Sequence, residues 1–253
     1  MNSRAADKTP VKLWGVIPAA GIGSRMQADC PKQYLPLAGK TLIEKTLERL
    51  LAIPQIQRLV VALNPDDHVW PKLSLSQHKK IVTVAGGQER ADSVLNALLS
   101  LQGIAADNDW ILVHDAARPC VSLASIEKLL NACAEHPLGG ILGVPVSDTI
   151  KQVKDKSVIT KTVDRSVLWQ AQTPQLFRYG ILLKALKAAV EVGFLVTDES
   201  SAVEVMLKKP LGDEVSELLP LMVEGNSDNI KITRPEDLPL AELILQRQDS
   251  QKN

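Results

Sequence analysis

Two basic side chains beside a turn of small residues are the first feature that could do chemistry. The run Pro18-Ala-Ala-Gly-Ile-Gly-Ser-Arg-Met26 follows an apolar stretch, 13–18, and leads into Pro31-Lys32-Gln33-Tyr34-Leu35. Backbone N–H groups in such a turn can face phosphate oxygens. Two familiar phosphate motifs fail on named residues. The dinucleotide fingerprint GxGxxG is met at Gly21 and Gly23, but Met26 holds its third position. Gly39-Lys40-Thr41 looks like the tail of a GxxxxGK[ST] loop, yet Tyr34 stands where that loop needs its first glycine. What remains is a turn in which Pro18, Ala19, Ala20 and Gly21 let the backbone close on a phosphate chain, while Arg25 and Lys32 bring it positive charge. Two isolated basic residues would ordinarily be solvated surface. At the carboxyl end of a first α/β strand, where open sheets bind ligands, they read as a binding pair.

The elements that must hold this turn follow from periodicity. Strands are expected at 13–18, 58–63, 80–85, 110–114 and 140–146, and helices at 41–53, 91–101 and 122–135. Leu42, Ile43, Thr46, Leu47, Leu50 and Leu51 make one stripe of the first helix; Val94, Leu95, Leu98 and Leu99 should face inward from the second. Near-continuous apolar strands alternating with amphipathic helices imply an α/β, Rossmann-like, mostly parallel sheet with helices on both faces.

The rhythm breaks near Ser147. Segments 149–153 and 158–163 are short and β-branched, with Lys154-Asp-Lys-Ser157 between them, a hairpin pattern with no intervening helix. A hairpin projecting from an α/β body has no way to bury both faces alone, so 147–165 is expected to be a β-arm that packs on a second subunit. A flap lying on its own domain is the alternative. Helices are expected at 182–192, 200–207 and 235–246, a last strand at 229–232, and a polar surface excursion at 208–219. All 253 residues then form one domain.

Composition excludes several classes. Lys+Arg and Asp+Glu both number 29, so the chain is neutral and no general nucleic-acid binder. Cys30, Cys120 and Cys133 form neither a disulfide framework nor a CxxC metal site, as in a reducing compartment. The start carries Arg4, Asp7 and Lys8 rather than an apolar signal, and no apolar run is long enough to span a bilayer, so a cytoplasmic protein without membrane contact is expected.

The motifs in order carry a resemblance. The Ala-Ala-Gly-x-Gly-x-Arg-Met loop with Pro-Lys-Gln is similar to the signature of cytidylyltransferases acting on sugar-alcohol phosphates. It is followed by Gly86-Gly-Gln-Glu-Arg-Ala-Asp-Ser93, Val113-His-Asp-Ala-Ala-Arg-Pro119, Pro145-Val-Ser-Asp-Thr149, Thr162-Val-Asp-Arg165, Gln172-Thr-Pro-Gln175, Thr197-Asp-Glu-Ser200 and Asn229-Ile-Lys-Ile-Thr233. Over about residues 13–245 the chain most closely resembles the 2-C-methyl-D-erythritol 4-phosphate cytidylyltransferases of the non-mevalonate isoprenoid pathway.

The resemblance implies attack of a phosphate monoester on the α-phosphorus of CTP, with pyrophosphate leaving. Arg25, Lys32 and Lys231 would be catalytic cations. Pro18, Ala19, Ala20, Gly21, Gly87, Ser93 and Asp115 would bind CTP, with Gly86-Gly87 and Ser93 against cytosine and ribose. Arg118, Thr149, Arg165, Thr173, Thr197 and Asp228 would hold the polyol phosphate. Mg²⁺ would come mainly on the phosphate oxygens, leaving its protein ligands unspecified, and the arm would join a homodimer in which Arg165 completes the neighbour's pocket. The duller reading of Arg165 is an ion pair with Asp164 or Glu199. Arg90 could be a plain surface residue of its helix, His114 is structural, and Asp107-Asn-Asp109, although a DxD, precedes its strand and is read as a turn. Segment 208–219 is longer than the family pattern. The alternatives are transfer to another polyol phosphate such as ribitol 5-phosphate, or a CTP-binding regulator without turnover; a nicotinamide-linked dehydrogenase already fails at Met26.

Overall fold

The computed structural model describes residues 10–21, 30–211 and 218–251, with side chains of 208–211 left aside. Arg25 lies outside the described residues, as do 212–217 of the expected excursion. In chain order the strands and helices are β1 (Leu13–Ala19), β2 (Pro36–Leu37), β3 (Lys40–Thr41), α1 (Leu42–Leu51), β4 (Ile56–Leu63), β5 (Ile81–Ala85), α2 (Arg90–Ser100), β6 (Trp110–Val113), α3 (Leu123–Cys133), β7 (Gly139–Pro145), β8 (Ile150–Lys154), β9 (Val158–Val163), β10 (Trp169–Arg178), α4 (Tyr179–Glu191), α5 (Glu199–Leu211), β11 (Leu221–Glu224) and α6 (Asp237–Ser250).

A seven-stranded sheet has the order β11-β7-β10-β6-β1-β4-β5. Every pairing is parallel except those of β10, which runs against both β6 and β7. Alternate side chains of β1 enter opposite cores. Leu13 and Ile17 pack with Ile43, Leu47 and Leu50 of α1 and Ile126 and Leu129 of α3. Trp14 and Val16 pack with Val94 and Leu98 of α2, Leu182 and Leu186 of α4, and Val203 of α5. Fully burying one such Leu or Val stabilises by about 1.5–3 kcal/mol. A third cluster seats α6 on Leu37, Leu42, Ala117 and Ile232. Among the described residues no helix is long and apolar enough to cross a membrane.

Helix starts follow the local chemistry. Thr41 caps α1 reciprocally with Glu44, and Ser122 caps α3 by accepting from Ser125 N at 3.1 Å. The DxD is a structural turn at the amino edge of the sheet. Asp109 accepts from Trp14 Nε1 at 2.9 Å, Lys12 N at 2.9 Å and Ala106 N at 3.0 Å.

Three expectations change. Segment 229–232 is not a strand; it runs beside the loop after β6, with Ile232 N donating to Ala117 O at 2.9 Å, and β11 takes the sheet edge instead. Leu99 is 38% exposed, and Ala97 turns inward in its place. Residues 169–178, given no strand from sequence, form β10, because a shift of register between Ala171 and Gln175 carries Pro174 past the ladder that proline would break.

The hairpin forms at the expected place. β8 and β9 pair with one another, not with the large sheet, around a turn in which Asp155 and Lys156 have positive φ (51° and 63°). Both strands are almost wholly exposed.

Candidate active site

β1 is the point at which the strand order reverses: the chain moves to β4 and β5 on one side, then returns to β6 on the other. Loops at the carboxyl ends of β1, β5 and β6 part there and leave a crevice. A cleft of about 340 Å³ occupies it, walled by Pro18, Ala19, Ala20, Gly21, Lys32, Gln33, Gly87–Arg90, Ser93, Asp115–Ala117, Lys231 and Thr233. Eight of the residues singled out from sequence, namely Pro18, Ala19, Ala20, Gly21, Lys32, Gly87, Ser93 and Asp115, thus share one wall with Lys231, whose neighbours in sequence are more than a hundred residues further on.

Each part is held by a local contact. Gln33 Nε2 donates to Ala19 O at 2.9 Å in a buried position, which ties the Lys32 segment to the end of β1. Lys32 Nζ donates to Ile232 O at 3.3 Å, so it bridges toward the Lys231 segment. The Gly86-Gly87 turn is tight. A Cβ on Gly86 would come within 2.3 Å of Ala20 Cβ, and one on Gly87 within 2.2 Å of Asp92 Cβ. Ser93 Oγ accepts from Gly87 N at 3.1 Å and donates to Glu89 O at 3.2 Å, stapling the turn to the first turn of α2. Thr46 Oγ1 donates to Ala116 O at 2.8 Å from beneath.

Asp115 is the electrostatic centre. Its Oδ1 accepts from Arg90 Nε at 2.9 Å, and its Oδ2 lies 2.8 Å from Lys231 Nζ and 3.9 Å from Arg118 Nε. Burial alone would raise its pKa, but Arg90, then Lys231 and Arg118, override it and hold the carboxyl well below the usual carboxylate range. Arg90 is fixed from its other end by Glu199, with NH1–Oε1 at 2.7 Å and NH2–Oε2 at 3.0 Å. Burial opposes its charge, yet Glu199 and Asp115 keep it protonated. Arg90 is therefore no ordinary surface residue of its helix. Its partner Glu199 is the residue sequence reasoning offered only as a mate for Arg165. A signal was available: Arg90 and Glu199 both lie inside quoted motifs and carry opposite charges.

His114 is fully buried behind Asp115. Arg118 O can only accept, so His114 Nε2 carries the proton it donates there at 3.0 Å. Nδ1 of the neutral ring then accepts from the Thr173 hydroxyl, 3.0 Å away, whose oxygen in turn accepts from Asp115 N at 3.0 Å. Burial is the largest cause of a His114 pKa of about 4, with the Arg118 and Arg90 charges adding to it. The imidazole is neutral near pH 7, a strut rather than a base, and Thr173 is part of the same strut. Arg118 NH1 donates to Asn229 O at 2.6 Å, and its buried Nε has no hydrogen-bond partner.

Arg118, Thr149, Arg165, Thr173, Thr197 and Asp228 lie outside the cleft wall. Asp228 pairs with Arg247 of α6. Thr197 is exposed just before α5. Thr149 and Arg165 stand at the base of the hairpin, where Arg165 donates to Ser147 O. Among the described residues no group of three His, Cys, Asp or Glu could hold a metal ion. The only carboxylates among the described residues of the wall are Glu89 and Asp115.

The chain matches the model of the 2-C-methyl-D-erythritol 4-phosphate cytidylyltransferase (IspD) family over residues 13–247. It is 50% identical over 247 residues to the 2-C-methyl-D-erythritol 4-phosphate cytidylyltransferase of Vibrio vulnificus, covering 97% of this chain and 99% of that one. With the enzyme of that name from Hahella chejuensis it shares 48% over 236 residues, 93% and 94% of the two chains. The crystal structure of the Francisella tularensis 2-C-methyl-D-erythritol 4-phosphate cytidylyltransferase superposes with a TM-score of 0.78 at 39% identity, over 92% of this chain and 99% of that one. With the fold, the cleft and these relatives in agreement, the chain belongs to the 2-C-methyl-D-erythritol 4-phosphate cytidylyltransferase family of nucleotidyltransferases.

Proposed function

We propose that the cleft takes CTP and transfers its CMP to 2-C-methyl-D-erythritol 4-phosphate, giving 4-diphosphocytidyl-2-C-methyl-D-erythritol and pyrophosphate in isoprenoid precursor synthesis. The observation that carries the reading is the meeting of Lys32 and Lys231 with the Ala19–Gly21 and Gly87 backbones around one cleft at the reversal of strand order. Both reactants are anions, so the site has to supply positive charge. The attacking phosphate is already ionised, and no general base is needed. Arg25, Lys32 and Lys231 stabilise charge on the α-phosphate and the departing pyrophosphate, which is where a preorganised cation counts most. The turn stapled by Ser93 offers rigid backbone groups to the base, and a mismatched base would leave them buried and unpaired.

The donor set suits a divalent cation held chiefly by phosphate oxygens, because Asp115 is already engaged by Arg90 and Lys231. Such a cation, Mg²⁺ by its hardness, would neutralise part of the triphosphate charge.

The arm at 147–165 joins two copies of the chain as a homodimer. Support comes from its apolar surface: Val153, Val158 and Ile159 are 50%, 58% and 61% exposed. Apolar side chains gathered on an unpaired hairpin want a cover. Thr149 and Arg165 then serve the partner's polyol phosphate, since they stand at the base of that arm. Thr197, Arg118 and Asp228 surround the acceptor side.

Pyrophosphate release with CTP and a panel of C4 and C5 polyol phosphates tests the reading. Turnover is expected with 2-C-methyl-D-erythritol 4-phosphate; turnover with ribitol 5-phosphate in its place would overturn the acceptor. CTP binding without any pyrophosphate would overturn the enzyme.

A further inference from the structure

The geometry points to Glu199 as a positioning residue: acting through Arg90 and Asp115, it fixes where Lys231 presents its ammonium in the cleft. The claim that this matters for turnover rests on the reading of Lys231 as a phosphate-facing cation.

Glu199 is completely buried at the first turn of α5, does not itself line the cleft, and holds Arg90 of its wall. A buried carboxylate is a costly way to hold a helix in place, and apolar packing would do that better. Its surroundings keep it still. Gln175 Oε1 accepts from Ser200 N at 3.0 Å, and Gln175 Nε2 donates to Asp198 Oδ2 at 2.8 Å, so the residues on both sides are tied to β10.

From there the charges alternate. The two oxygens of Glu199 take both terminal nitrogens of Arg90, a fork-to-fork contact that sets the plane of the guanidinium. The remaining edge, Nε, then meets one oxygen of Asp115. This leaves the other oxygen for Lys231. Arg90 lines the cleft, yet its guanidinium is directed at two protein carboxylates, so it acts as a spacer between them. Lys231 needs such a partner. It sits on a segment outside the sheet, its stem is long, and its side chain is 41% exposed. With Glu199 altered, Arg90 is free to turn and compete for both oxygens of Asp115, and Lys231 loses its anchor.

The test uses the full chain. Glu199→Asp keeps the charge but shortens the reach by one methylene; Glu199→Gln keeps the reach but loses the charge; Arg90→Lys keeps the cation but loses the fork. Circular dichroism and melting report which variants fold, and Glu199→Asp is the variant on which the claim stands if Glu199→Gln does not. The first readout is acetylation of Lys231, followed peptide by peptide in the mass spectrometer and normalised to exposed Lys187 on α4. Lys231 is expected to react several-fold faster in folded Glu199→Asp than in the unaltered chain. The second is steady-state pyrophosphate release, where kcat is expected to fall about tenfold while the KM for CTP stays within about threefold. A folded Glu199→Asp with unchanged Lys231 acetylation overturns the inference, because a purely structural carboxylate would behave that way. Faster acetylation with unchanged kcat supports the positioning and instead removes Lys231 from the proposed chemistry.

Discussion

The cleft and the arm handle charge and apolar surface in opposite ways. At the cleft, Arg90, Asp115 and Glu199 satisfy one another within a single chain, and the surrounding backbone is fixed by buried hydrogen bonds such as Gln33 to Ala19. On the arm, Arg165 has one backbone carbonyl, and apolar Val158 and Ile159 lie in the open. The same residue type is a finished part in one place and an unfinished one in the other. A site completed within its chain can be weakened only from inside. A site completed by a neighbour can be weakened from either subunit and restored by mixing.

The largest effect should come from the cleft itself. Lys32→Ala, and separately Arg25→Ala, should lower kcat by about 10²-fold or more with the fold intact, as when a transition-state cation is lost. Pyrophosphate release alongside circular dichroism measures this. Near-normal turnover in the Lys32 variant would leave the cleft a binding site only.

The arm should respond differently. Arg165→Ala is expected to raise the KM for the polyol phosphate by about tenfold while kcat changes less, because an arginine fork holds phosphate in ground and transition states alike. At polyol phosphate well below its KM, where both parent variants are nearly inactive, co-refolding this variant with Lys32→Ala should then recover about a quarter of normal activity, since half the dimers are mixed and one pocket of each is whole. No recovery would put Arg165 and Lys32 in one chain's pocket and erase the contrast. A gentler probe is Ile159→Asp, which places a charge on the exposed arm surface; sedimentation should show a shift from dimer toward monomer. An unchanged dimer would mean that another surface joins the copies.

The contrast also marks what was legible in the sequence. The parallel strands were plain because β1, β6 and residues 59–63 of β4 are continuous apolar runs buried on both faces, and the arm was plain because β-branched residues flank a polar turn. β10 was hidden. Its middle reads Gln-Thr-Pro-Gln, and proline argues against a central strand; only the shifted register between β10 and β7 makes room for it. Lys231 looked like the outward member of an alternating strand, Ile230-Lys-Ile232. In fact the segment is held by the loop after β6, a contact between residues over a hundred positions apart that no local pattern encodes. Arg90 and Glu199 lie 109 residues apart, and their pairing depends on α2 and α5 sharing one face of the sheet. Residue types at the site could be picked out locally. Which charges neutralise which could not.

The smallest expected effect is on pH dependence, and it belongs to the cleft alone. His114 is held neutral, with a pKa of about 4, because burial disfavours its charge and the Arg118 and Arg90 charges add to that. In the unfolded chain its pKa returns to about 6.5. Between those values the unfolded state binds a proton that the native state refuses, so stability is full above about pH 6.5 and falls as the solution is acidified toward pH 4. From pH 7 to 5.5 the loss is about 1 kcal/mol, or roughly 2–4 °C in melting temperature for a chain of this size. Replacing the imidazole by a group that does not titrate, as in His114→Gln, should flatten that part of the profile even if it lowers stability throughout. The arm carries no buried titratable group of this kind, so Arg165→Ala should keep the slope of the unaltered chain. If both variants flatten equally, the acid sensitivity arises from the subunit contact rather than from the strut behind Asp115.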